Sequence, residues 1–122
     1  MGKYVDGFLL AVPKRKLAAY QRLARMAGRV WRKHGALDYK ECVGDDLPAP
    51  WGGIPFPRTV KLKKGEIVVF SFIVYRSKAH RDRVNAKVMK DPWMASPKWK
   101  GRPMPFDMKR MAYGGFRVIV DA

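Results

Sequence analysis

Cysteine is almost missing from this 122-residue chain: Cys42 stands alone, so no internal disulfide can form, and a reducing cytoplasm suits it. Long apolar runs are missing too. The longest, Ile67 to Tyr75, is too short to span a bilayer, and the amino terminus lacks the charged, apolar, small-residue order of a signal peptide. A soluble, cytoplasmic protein with no membrane partner is expected. Metal and cofactor signals are equally scarce. Two histidines and one cysteine, far apart and without ligand spacing, make no metal site. GGIP and YGGF lack the glycine spacing and following helix of a phosphate-cradling loop, so no cofactor is expected. Cys42 alternates with Asp38 and Lys40, has no identifiable base, and reads as a small strand residue.

Acid is absent between Gly7 and Leu37. Over that stretch Lys14, Arg15, Lys16, Arg22, Arg25, Arg29, Arg32 and Lys33 supply eight cations toward a net charge of +16. Such a face is compatible with nucleic acid, an acidic protein, an anionic surface or plain solubility.

What is present suffices for one domain, residues 1–122, with an ordinary core, since 48% of the residues are apolar. Lys3 to Val12 reads as a strand, and Pro13 can open the helix that follows, which runs to about His34 and stops at Gly35. At 100° per residue its cations occupy an arc of about 40° to 160°, and its apolar side chains about 180° to 340°. Ala36 to Gly44 alternates as a second strand. Glu66 to Arg76 is the third, apolar on both its odd and even positions, so both faces of the sheet must be covered. A second helix follows, capped by Ser77 and ended by Pro92, and Lys109 to Val120 forms the last strand, where Gly114 and Gly115 suggest a bulge or a close backbone approach. Strand, helix, strand, strand, helix, strand is the α+β, ferredoxin-like arrangement: a four-stranded antiparallel sheet with two helices on one face. The other face calls for a second copy of the sheet, hence a homodimer. Two long connections, residues 44–57 and 91–107, hold eight of the nine prolines together with Trp51, Phe56, Trp93, Met94, Trp99, Met104 and Phe106, and should pack as a lid or across a dimer interface.

The second helix carries the candidate chemistry. With His80 at zero, Val84 lies at about 40°, Val88 at about 80°, Arg81 at about 100° and Asn85 at about 140°, so polar groups share or border the face that must be buried. His80 lies in the first turn, where the dipole favours the neutral imidazole; His34 lies at the end of the first helix, where it favours the cation. If both reached one cavity they could serve as base and acid. Asp6 shares a strand face with Tyr4, Phe8, Leu10 and Val12 and needs a partner there, for which Arg81 is the candidate. Glu41, alternating with Leu37, Tyr39 and Val43, raises the same question.

The segments YVDGFLLAVPK (Tyr4 to Lys14), VWRKHGALDYKECVGDD (Val30 to Asp46), FPR (Phe56 to Arg58), VVFSFIVYRSKAHRDRVNAKVMKDP (Val68 to Pro92), PFDMKRM (Pro105 to Met111) and YGGF (Tyr113 to Phe116) give the chain its family resemblance. Together they resemble the YbaA-like family of uncharacterised bacterial proteins, within the dimeric α+β barrel superfamily. The resemblance implies a homodimer whose sheets meet face to face, but no established activity. Superfamily members include cofactor-free monooxygenases, haem-handling enzymes and small-acid isomerases that work in a pocket between sheet and helices. The first helix here is more cationic than the resemblance implies.

Two functions compete. One is a small-molecule pocket, catalytic without a cofactor or binding only, with His80, His34 and Asp6 as the reactive groups and Arg81, Asn85, Trp31 and Glu41 holding the ligand. The other is a basic binding module for RNA, DNA or an acidic protein, through Arg22, Arg25, Arg29, Arg32 and Lys33. On the helix wheel Trp31 and Tyr20 point away from those cations, which ranks nucleic acid second. A structural dimer without ligand is the third reading.

Overall fold

The computed structural model describes residues 2–122. Strand β1 (Tyr4–Pro13) leads to helix α1 (Leu17–Lys33), strand β2 (Asp38–Val43), a short helix α2 (Phe56–Thr59), strand β3 (Glu66–Tyr75), helix α3 (Lys78–Lys90) and strand β4 (Ala112–Arg117). The sheet order is β2-β3-β1-β4 with every pair antiparallel, which is the ferredoxin-like topology expected.

Strand β2 opens at Asp38 rather than Ala36 and β4 closes at Arg117 rather than Val120, and two further boundaries differ from expectation for local reasons. Pro13 closes β1 instead of opening α1: the Lys14 N–H donates to the Gly65 carbonyl at 2.8 Å, which keeps the chain on the β1–β3 ladder, and a 3-10 turn over Lys14–Lys16 intervenes. The last strand starts later than Lys109 because the Asp107 side chain accepts from the Lys109 N–H and holds Met108–Arg110 in a 3-10 turn. Its pairing with β1 is regular, so Gly114 and Gly115 mark no bulge. Close approach is the reason at Gly115, where an added Cβ would run into the Tyr4 ring.

Alternation sorts the sheet residues onto two faces. On one, Leu10, Val12 and Val69 pack under Tyr20 and Ala24 of α1, while Ile73 and Tyr75 pack under Val84 and Val88 of α3. Full burial of each such side chain contributes about 1.5–3 kcal/mol. The opposite face needs less of a partner than the sequence implied. Its Leu9, Ala11 and Val68 are covered by Leu47, Val60 and Leu62 of the same chain. The other half stays open, with Phe70 46% and Phe116 62% exposed. The two long connections also part ways. Residues 91–107 fold over the helical face, whereas Trp51 is 99% exposed, because Gly52 and Gly53 at positive φ turn the segment outward with nothing against them.

Candidate functional site

Of the polar residues expected on α3, Arg81 and Asn85 are engaged by side chains from β1, β3 and α1. Arg81 Nη1 donates to Asp6 Oδ1 at 2.8 Å, and beside this pair the Tyr75 hydroxyl donates to Asn85 Oδ1 at 3.3 Å. Asn85 Oδ1 also accepts from Trp31 Nε1 at 3.1 Å. The Arg81 guanidinium lies 4.9 Å from the centre of the Tyr4 ring, the ring that sits over Gly115. Burial raises the Asp6 pKa, against the opposing pull of Arg81, Tyr75 and Asn85. Among the described residues no buried side-chain nitrogen or oxygen lacks a partner, so no orphaned buried group here calls for a ligand.

The two histidines do not meet. His80 is buried; its Nδ1 accepts from the Arg76 N–H at 3.0 Å, its ring meets Tyr75 edge-on, and its Nε2 faces Gly35. Burial lowers its pKa first, with Arg76, Arg83 and Lys87 adding like charge, so the imidazole is neutral. His34 Nε2 instead faces Asp91 Oδ2 at 2.8 Å, and the same oxygen accepts from Lys33 at 2.9 Å. The Trp93 N–H donates to Asp91 Oδ1. Lys33, then His34 and the Trp93 amide hold the Asp91 carboxyl well below the usual carboxylate range. This clasp ties the start of the 91–107 segment to the end of α1.

An open cleft lies elsewhere, between α1, the sheet and that segment. It measures about 380 Å³, within the usual range for small-molecule sites. Of the residues singled out in the sequence it takes only Trp31 and Glu41; Asp6, His34, His80, Arg81 and Asn85 do not line it. The walls are mostly apolar: Phe8, Leu10, Ile73, Trp31, Trp93, Met94, Trp99, Met104 and Phe106. Trp93 and Trp99 meet edge-on with centroids 5.0 Å apart, and Phe106 meets Tyr20 at 5.8 Å. Polar groups are few. Glu41 Oε1 accepts from the Tyr20 hydroxyl at 2.6 Å and Oε2 from the Tyr39 hydroxyl at 2.8 Å. Burial, then the Glu41 charge, raises both tyrosine pKa values, so both phenols stay protonated and hold the carboxylate in place. Gly28 makes room for this, since a Cβ there would lie 2.8 Å from the Tyr39 ring. Such an arrangement can accept a hydrogen bond or a proton from a mostly apolar molecule. Tyr20 and Tyr39 escaped notice as site residues because both read as ordinary apolar-face positions; their alternation or helical phase beside Glu41 was the available signal. Among the described residues no three His, Cys, Asp or Glu side chains are grouped to hold a metal ion, and no helix is long and apolar enough to cross a membrane.

Residues 3–108 match the model of a family described as protein of unknown function, DUF1428. The chain belongs to this family. It is 48% identical over 120 residues to the uncharacterized protein YbaA of Escherichia coli strain K12 and, to the same extent, of Shigella flexneri, covering 98% of this chain and 98% of each relative. Among solved structures it is similar to a dimeric ferredoxin-like protein from an uncultured marine organism, with a TM-score of 0.58, 10% identity and full coverage of both chains. That likeness bears on the fold.

Proposed function

We propose that the protein is a cytoplasmic homodimer that binds a mostly apolar small molecule in the aromatic cleft, with Glu41 as the acceptor for one O–H or N–H of the ligand. The observation that carries this reading is a carboxylate fixed by two phenols inside a tryptophan-rich cleft. Trp31 contributes a wall, Asn85 acts behind it by holding its indole, and Asp6 and Arg81 pair with each other. His80 and His34 keep structural parts, one in the core and one in the clasp. A Glu41 carboxylate could also abstract a proton from such a ligand, which is the form a cofactor-free reaction would take.

The dimer reading is supported by the open half of the sheet face around Phe70, Phe72 and Phe116, and by the neighbour described as dimeric. Sedimentation should give a dimer that Phe70→Asp converts to monomer; a wild-type monomer at all concentrations contradicts it.

Intrinsic tryptophan fluorescence tests the cleft, using 2-naphthol and 2-methoxynaphthalene as neutral probes that differ in one O–H donor. Wild type should prefer 2-naphthol by about tenfold, the worth of a hydrogen bond to a charged group, and Glu41→Gln should shrink that preference. An unchanged preference in Glu41→Gln overturns the role given to Glu41. A nucleic-acid function on α1 keeps its cations, but Trp31 faces the aromatic cleft, and the rings nearest the arginines, Tyr20 and Tyr39, are held by Glu41 against the sheet.

A further inference from the structure

A second cleft, of about 500 Å³, opens on the other flank of α1, against the edge strand β2. Leu17, Ala24, Val43 and Val69 give it an apolar floor, and Arg25, Arg29 and Arg32 stand along it. Arg32 is engaged with the carbonyls of Ala36 and Leu37, which finishes the end of α1. Arg25 and Arg29 are different. Among the described residues no carboxylate pairs with either, and the side-chain hydrogen bond of Arg29 is a long one to the Met26 sulfur at 3.7 Å. The acid within the cleft, Glu41, accepts from two tyrosine hydroxyls and forms an ion pair with neither arginine. Arg25 and Arg29 are one helical turn apart on the same side, so their guanidiniums can converge on one anion.

Two unpaired guanidiniums beside an apolar trough fit a molecule with the same two parts. A guanidinium fork matches carboxylate or phosphate oxygens, and an alkyl chain laid on Ala24, Val43 and Val69 gains from the apolar surface withdrawn from water. We propose that this cleft binds a single-chain anionic amphiphile, with its carboxylate or phosphate head on Arg25 and Arg29 and its chain along the floor. A nucleic acid would use the arginines but not the floor. The proposal does not rest on the aromatic cleft holding a ligand: the two share the wall of Tyr20, Ala24, Tyr39 and Glu41 but open on opposite flanks of α1.

Calorimetric titration with decanoate and with decyl phosphate, below their micelle concentrations and at about 0.15 M salt, tests it. Wild type should bind at least one of them, which also tells the two head groups apart, and should not bind decyltrimethylammonium. Arg25→Gln with Arg29→Gln should weaken binding by about tenfold or more, and Val43→Asp, at a half-exposed site that tolerates it in folding, by a similar factor. Arg15→Gln with Arg22→Gln, which removes equal charge outside the cleft, should leave it within about twofold. Trp99→Ala, in the aromatic cleft, should also leave it unchanged. The proposal is overturned if wild type binds neither amphiphile, if the control pair loses as much as Arg25 and Arg29, if Trp99→Ala loses binding, or if Val43→Asp binds as wild type does.

Discussion

The two ends of the helical face handle polar groups in opposite ways. Under α3, Arg81 pairs with Asp6, Asn85 accepts from the Trp31 indole and the Tyr75 hydroxyl, and among the described residues no buried side-chain polar atom is unpaired. Under α1, Glu41 is held by two phenols at the wall of two open clefts. A buried charge that is fully paired serves the fold, because its partners leave nothing for a ligand; a charge fixed beside open apolar space is placed for recognition. Substitutions in the first region should therefore cost stability and spare binding, and substitutions in the second should do the reverse.

The largest stability loss is expected for Arg81→Ala, which leaves Asp6 buried without its cation. Partial solvent access tempers the cost to about 2–3 kcal/mol at neutral pH by urea denaturation. The sign with pH follows from linkage. Without Arg81 the Asp6 pKa rises further above its unfolded value, so the loss is greatest at neutral pH and shrinks as pH falls through the folded value and the carboxyl is protonated. A loss that grows on acidification would contradict the assignment.

Trp99→Ala should come next, at about 1–2 kcal/mol, since the ring is half-buried against Trp93, and it should open the aromatic cleft. A smaller, pH-dependent effect belongs to His80. Its folded pKa is depressed, so its contribution is complete above the unfolded value of about 6.5 and is lost as pH falls from there through the folded value. Denaturation midpoints between pH 5 and pH 8 should therefore drop more steeply on acidification in wild type than in His80→Gln; equal slopes would remove His80 from the account. The smallest stability change is expected for Glu41→Gln, about 1 kcal/mol or less, with the loss of donor preference described above as its main effect. If Glu41→Gln unfolds the protein as readily as Arg81→Ala, the contrast between the two regions fails.

Much of the fold could be read from the chain. The double apolar character of β3, the amphipathic α1 and the Ser77 cap, whose Oγ accepts from the His80 N–H, each carry a local signal that tertiary packing did not override. The Asp6–Arg81 pair could be named because a carboxylate on an apolar strand face needs a cation. What periodicity could not supply was which buried polar residues pair with one another and which face open space. That depends on where residues 91–107 lie, and prolines, tryptophans and glycines in an irregular segment carry no repeat from which to read its path. The same limit hid the contrast between Trp99, folded over the cleft, and Trp51, left in water.

The most direct test of the central claim follows amide and indole resonances by NMR as 2-naphthol is added. The account predicts shifts at the Trp93 and Trp99 indoles and at the Tyr39 and Glu41 amides, with His80 and Arg81 unmoved. Shifts centred on His80, Arg81 and Asn85, with Trp99 and Glu41 unmoved, would contradict it.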